Sequence, residues 1–195
     1  FHYSLNIQTR EDIYRNCDND DWRDSRKDQI ISILEQYLDV LKSMLEITDE
    51  FPVYIFEKND VVMVPDKKIT KDGLHIVIGI SLERRYQKKL RELVLENIQA
   101  SIDKQEFLID LPNVNNEKGW SDVLDNHVSA GESNWQMLGS KKPENSAYQL
   151  VYGYVFKLDD DDTWTVVNEL DELLNQDYRD NFIKENFVNL GANGI

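Results

Sequence analysis

Leu74-His75-Ile76-Val77-Ile78-Gly79-Ile80 is an apolar run broken only by His75 and Gly79. Its apolar character is continuous rather than alternating and rich in β-branched residues, the pattern of a buried strand. Immediately upstream, Lys67 to Gly73 is polar and basic and reads as a turn leading into that strand. Val53 to Phe56 and Val61 to Val64 are shorter runs of the same kind and predict two further strands, with Pro52 ending what precedes them. Downstream, a helix is expected from about Leu82 to Ile102, with Leu90, Leu93, Val94 and Ile98 opposite much of its Arg and Lys.

Farther out, Ile30, Ile31, Leu34, Tyr37, Leu38, Leu41, Met44 and Leu45 recur at spacings of three and four, which predicts a long helix with one apolar stripe. Ser25 is placed to cap it, with Asp28 three positions on, and Glu11 to Asp28 reads as a loop or insertion. Toward the C-terminus, Pro112 to Gly119 reads as a loop, and Trp120 to His127 as a short helix or strand. Ser133 to Leu138 and Tyr148 to Lys157 read as strands. Asp159 to Asp162 is an acidic turn, and Val166 to Leu174 and Asp177 to Val188 look helical. This order predicts an α+β domain with one main sheet flanked by helices.

The 195 residues suffice for one domain with a substantial core, and 41% hydrophobic with 10% aromatic residues describes a globular chain. No apolar run approaches the roughly 18 residues that cross a membrane. Phe1 to Arg10 lacks the basic start and apolar block of a signal peptide. Cys17 is the only cysteine, so no internal disulfide forms, which suits a reducing interior. The formal net charge of −15 argues against a general nucleic-acid coat. The charge is uneven, however: Met63 to Arg91 holds eight basic and three acidic residues, against 14 and 34 elsewhere. A local basic surface on an acidic body can hold a phosphate chain; it is also what a solvated helix face looks like.

Three segments could carry chemistry. In Lys71-Asp72-Gly73-Leu74-His75, an imidazole near a strand's start, beside a lysine and a glycine turn, can donate a hydrogen bond to phosphate. The bland counterpart is a histidine satisfied by a backbone carbonyl. In Val123-Leu124-Asp125, an acid after an apolar pair can end at a cleft and hold Mg²⁺, or can be a surface acid or helix cap. In Trp135 to Pro143, an expected strand runs into Gly139-Ser140-Lys141-Lys142, where close backbone approach, a hydroxyl and two cations suit an anion. The GxxxxGK spacing of a P-loop is absent, and the segment also reads as a turn before Pro143.

In order, KDGLHIVI, VLDNHV and NWQMLGSKKP followed by Tyr148 resemble the archaeo-eukaryotic primase domain of poxvirus-type and other large-DNA-virus primase-helicases. The resemblance is specific over about Phe51 to Tyr154 and weaker over Ile30 to Leu45. It implies a primase-polymerase catalytic domain over 1–157 with an RNA-recognition-like mixed sheet, and 158–195 as a helical extension or the start of a linker. It also implies nucleotidyl transfer on two Mg²⁺ or Mn²⁺ ions, nucleoside triphosphates as substrates and a single-stranded DNA template. A helicase domain in the same polypeptide, no membrane, and a viral replication site in the host cytoplasm or nucleus follow from the same resemblance.

By match, Asp125 is the third metal carboxylate and His75 a catalytic and triphosphate-binding residue. Lys71, Ser140, Lys141 and Lys142 fall in nucleotide-binding segments. The basic Arg84, Arg85, Lys88 and Lys89, on a helix that runs on to Arg91, are expected to track nucleic-acid phosphates. Relatives carry an Asp-x-Asp pair directly before an aromatic-x-aromatic sequence like Phe1-His2-Tyr3, so that pair is expected upstream of Phe1. Asp18 and Asp20 have the same spacing in a hydrophilic stretch. Without an upstream pair the domain would bind without polymerising. The remaining alternative is an acidic protein-interaction module.

Overall fold

In the computed structural model the chain is described over residues 2–10, 19–58, 61–103, 119–130, 141, 143 and 145–169. The elements are β1 (His2–Arg10), α1 (Asn19–Met44), β2 (Phe51–Lys58), β3 (Val62–Val64), a 3₁₀ turn (Pro65–Lys67), β4 (Ile69–Ile78), α2 (Arg84–Asp103), α3 (Trp120–Val123), α4 (Asn126–Ala130), β5 (Tyr148–Leu158) and β6 (Trp164–Glu169). The strands form one sheet in the order β1-β4-β2-β5-β6, with β3 also on β4. The α+β class is as expected, and every pairing among the described strands is antiparallel.

The apolar run Leu74 to Ile80 lies in an interior strand of the sheet, but that strand starts five residues earlier than expected. The turn is confined to Pro65–Lys68: Lys68 takes a left-handed φ of 52°, and its N–H donates to the Pro65 carbonyl at 3.0 Å. From Ile69 onward β4 is paired with β1 on one side and with β3 and then β2 on the other. β1 runs along its whole length, from Arg10 opposite Ile69 to His2 opposite Val77. On the other side β3 takes Ile69 to Lys71 and β2 takes Leu74 to Ile78. Lys71, Asp72 and Gly73 are therefore strand residues, and His75 is well inside the strand rather than at its start. Gly79 interrupts the run for a steric reason. Its N–H donates to the Pro52 carbonyl at 2.8 Å, and a Cβ there would sit 2.6 Å from Pro52 Cδ.

One face of the sheet is covered by helices. Leu74, Ile76 and Ile78 of β4 and Val53 and Ile55 of β2 share that face by register and are fully buried. Against them pack Ile30, Leu34, Leu38 and Leu41 of α1 and Leu90, Val94 and Ile98 of α2. Of the stripes read from the 3.6-residue period, Ile30, Leu34, Tyr37, Leu38, Leu41, Leu90, Val94 and Ile98 are buried and Ile31, Met44, Leu45 and Leu93 partly so. Ile33 and Val40 join the core from outside the expected stripe. Helix α1 starts at Asn19, however, six residues before the expected cap at Ser25, so Asp20 lies in a helix and not in a loop. No Pro or Gly interrupts Asn19 to Ser25. Asp18 lies outside the described residues.

Leu38 is completely buried at the centre of this layer. Leu38→Ala should lower stability by about 2–5 kcal/mol. Chemical denaturation checks it, and a loss below about 0.5 kcal/mol would show that the stripe does not hold the fold.

β5 carries a feature that placed its side chains unexpectedly. Its register against β2 shifts between Ile55 and Phe56: Ile55 pairs with Tyr152, but Phe56 pairs with Leu150. This β-bulge changes which face the alternate residues occupy. Tyr154 and Phe156 lie on the helix-covered face, whereas Tyr148 and Leu150, of the same sequence parity, lie on the other.

The expected helix from Val166 begins instead as strand β6, antiparallel to β5. Trp164, Thr165, Val166 and Val167 have strong strand preference, and the acidic turn folds them back along β5. The Asp159 N–H donates to the Thr163 carbonyl at 2.9 Å, and Lys42 of α1 donates to the Asp162 carbonyl at 2.9 Å. Lys42 also pairs with the Asp39 and Asp162 carboxylates, each at 3.2 Å. The expected strand Ser133 to Leu138 and helix Asp177 to Val188 lie outside the described residues.

Candidate functional site

On β4 the side chains alternate, so Lys71, Gly73, His75 and Val77 face away from the helices. Beside His75, β2 places Phe56 directly opposite, and the β5 bulge brings Tyr148 and Leu150 to the same face. The Tyr148 ring stacks on the His75 imidazole, with centroids 3.9 Å apart and planes inclined by 16°. The Lys58 ammonium lies 5.0 Å from the Tyr148 ring centroid, at cation–π distance. His75 is 7% exposed and Tyr148 6%, so this is a buried polar-aromatic group and not a surface platform. Burial, with the nearby Asp72 charge, pushes the Tyr148 hydroxyl up to about 12. At neutral pH Tyr148 is therefore a neutral phenol and no source or sink of protons.

Lys71 is exposed on this same face. It lies four residues from His75, about 13 Å along an extended strand. The two can thus touch different parts of one extended anion but cannot share one oxygen. Asp72, between them, is buried on the opposite face together with Thr70.

Asp125 comes from a different part of the fold. Helices α3 and α4 form a short connector that packs against α2 and edge strand β1. Asp125 is the residue before α4, and its Oδ1 accepts the His127 N–H at 2.9 Å. That is an N-cap, the plain alternative raised by the sequence. A carboxylate oriented by a backbone N–H is also how a metal-binding acid is commonly held, so the cap and the ligand role are compatible.

The connector is tied down by Arg91. Its Nε and Nη2 donate to the Leu124 carbonyl at 2.9 and 2.7 Å, and Nη2 also donates to the Ser121 carbonyl at 2.8 Å. Burial pushes the Tyr37 hydroxyl far up, and the Arg91 charge opposes part of that shift. Arg91 thus belongs to the structural interior, not to the phosphate-tracking surface expected of this helix. Arg91→Met should cost about 2–3 kcal/mol in urea denaturation, with little recovered by Lys, whose ammonium cannot make the forked contact. Equal stability of wild type and the Met variant would show that these bonds do not hold the connector.

The other basic positions stay on the surface. Arg84, Arg85, Lys88 and Lys89 are exposed on the first two turns of α2. Arg85 pairs with Glu83 at 3.0 Å and lies over Tyr86, and Lys89 approaches Glu92 at 3.8 Å. Pairs this exposed exchange readily with other anions. Lys141 is exposed, while Ser140 and Lys142 lie outside the described residues.

The described contacts therefore bring His75 together with Tyr148 and Lys58, and do not join it to Asp125 or Lys141. Among the described residues, no three His, Cys, Asp or Glu side chains gather closely enough to hold a cation. Asp125 by itself does not fit a resident pair of metal ions. Two participants escaped the sequence reading. Lys58 closes an ordinary strand, and Arg91 was counted with its basic neighbours. A signal existed for β1, where Tyr3, Leu5 and Ile7 alternate with His2, Ser4 and Asn6 in the period of a half-buried strand.

Against protein families, the model described as the C962R protein N-terminal AEP domain matches residues 12–154, well over half of the chain. The matched span contains β2 to β4, β5 as far as Tyr154, His75, Asp125 and the Gly139 to Lys142 segment. No curated protein matches the sequence. Among the described residues, no helix is long and apolar enough to cross a membrane.

Proposed function

Since the chain belongs to the family of the C962R protein N-terminal AEP domain, the archaeo-eukaryotic primases, and is a primase or nucleotidyltransferase-type domain, we propose that it is the priming domain of a viral replicative primase-helicase. In this role it joins nucleotides on a single-stranded DNA template, at a replication site inside the host cell. The observation that carries this is the family match, which spans both the His75 strand and the Asp125 connector. The match supports this reading over that of an acidic interaction module whose motifs coincide by chance.

In nucleotidyl transfer a 3′-hydroxyl attacks the α-phosphate of a nucleoside triphosphate, and pyrophosphate leaves. Divalent ions, here Mg²⁺ or Mn²⁺, stabilise the attacking and leaving oxygens and need several carboxylates to hold them. Asp125 is the carboxylate proposed for that task. Among the described residues Asp125 belongs to no group of three His, Cys, Asp or Glu side chains that could complete such a site. His75 donates a hydrogen bond to the triphosphate from the face of β4 turned away from the helices, and Lys71 meets the same chain farther along the strand. Preoriented donors of this kind stabilise charge that develops on the leaving pyrophosphate. Ser140, Lys141 and Lys142 are proposed for the same ligand. Arg84, Arg85, Lys88 and Lys89 form a basic helix face for the template, in the part of an acidic chain where cations are concentrated.

The test is primer synthesis by the full-length protein on single-stranded DNA, with labelled nucleotides and Mg²⁺ or Mn²⁺. Template-dependent, metal-dependent products are expected. Nucleotide binding without any product would instead identify a catalytically inactive binding relative.

A further inference from the structure

The geometry points to Tyr148 as a positioning residue for His75: its ring fixes the plane of the imidazole, and so the direction in which His75 presents a hydrogen bond to the nucleotide triphosphate. The inference rests on the role proposed for His75 and deepens it.

The terminal torsion of a histidine is soft, with a broad range of ring orientations. Both imidazole nitrogens lie in the ring plane, so tilting the ring swings the N–H away from its acceptor, and hydrogen bonds weaken steeply with misalignment. A second ring at 3.9 Å and 16° restricts that tilt. Tyr148 is itself anchored three ways. Its backbone pairs with Lys58 in the β2–β5 ladder, the Lys58 ammonium lies over its ring at 5.0 Å, and its side chain is buried. Phe56, directly opposite His75 on β2, is 1% exposed, so the stack sits in packed surroundings.

What acts is the ring face, not the hydroxyl. The phenol is held neutral by burial and by Asp72, so it exchanges no proton with the imidazole in the working range. Phe at this position would supply the same face, whereas Leu fills space without a flat surface. Among the described residues, Lys58 on β2 and Asp72 on β4 are charged groups beside Tyr148, with Lys71 farther along β4, and none of these changes in the comparison.

The experiment compares Tyr148→Phe, Tyr148→Leu and His75→Ala in the full-length protein. KM and kcat for nucleotides are measured in primer synthesis, alongside the imidazole proton resonances of His75. Tyr148→Leu should raise the nucleotide KM about tenfold with kcat nearly held, while Tyr148→Phe stays within about twofold of wild type. The His75 resonances of wild type and Tyr148→Phe should carry the upfield shift that a stacked ring imposes, and Tyr148→Leu should lose it. An unchanged KM in a folded Tyr148→Leu variant, with His75→Ala impaired, overturns the positioning role. His75→Ala with normal nucleotide use overturns the underlying role of His75 instead. If the Leu variant does not fold, wild-type and Phe spectra without the ring shift overturn the stack by themselves.

Discussion

Asp125→Asn should reduce primer synthesis by roughly a thousandfold, the equivalent of about 4 kcal/mol, while leaving the fold intact. The substitution separates two roles of one carboxylate. As an N-cap, Asp125 accepts the His127 N–H at 2.9 Å, and the Asn side-chain oxygen caps a helix about as well as a carboxylate does. The Arg91 bonds run to backbone carbonyls of Ser121 and Leu124, so they too survive. What disappears is the negative charge that a divalent ion requires. Thermal denaturation should therefore be unchanged, and activity should not be recovered by raising nucleotide concentration. An Asn variant that primes normally would show that Asp125 is only a cap.

His75→Ala should raise the nucleotide KM by about 10- to 100-fold, the range expected for losing a hydrogen bond to a charged ligand. The metal-holding groups are untouched, so kcat at saturating nucleotide should fall less than in Asp125→Asn. Removing a buried ring that stacks on Tyr148 also leaves a cavity, which lowers stability for reasons unrelated to catalysis. His75→Gln serves as the control, because it retains volume and a donor. Partial recovery of KM by Gln, at the stability of Ala, assigns the loss to the hydrogen bond. A KM that follows stability across both variants would assign it to packing.

Much of the fold was legible because burial follows periodicity. The Ile30 to Leu41 stripe and Leu90, Val94 and Ile98 are the helix side of the core, as their 3.6-residue spacing requires. Elements failed where the deciding interaction was distant. Lys71 to Gly73 has turn-like composition, yet it is strand because β1 and β3 supply partners. Val166 and Val167 continue an apolar pattern into a helical-looking stretch, yet the hairpin with β5 fixes them as strand. At the candidate site the chemistry-bearing types His75, Lys71 and Asp125 could be read directly. Their supports could not. A tyrosine stacked across two strands and an arginine bonded to carbonyls thirty positions away leave no local mark, because contact between distant segments is a property of the folded sheet.

The bulge in β5 gives chain length a role that side-chain chemistry usually has. Tyr148, Leu150, Tyr152, Tyr154 and Phe156 form a strictly alternating series that an unbroken strand would send to a single side of the sheet. The extra residue divides them, so that one half of the strand serves the core and the other half reaches His75. Removing Val151 would close the bulge and keep every pairing, so Tyr148 and Leu150 would stay on the His75 side, whereas removing Gln149 would turn Tyr148 to the other side of the sheet. A change in residue count is therefore absorbed at Val151 but not between Tyr148 and Leu150, where it moves an aromatic side chain across the sheet.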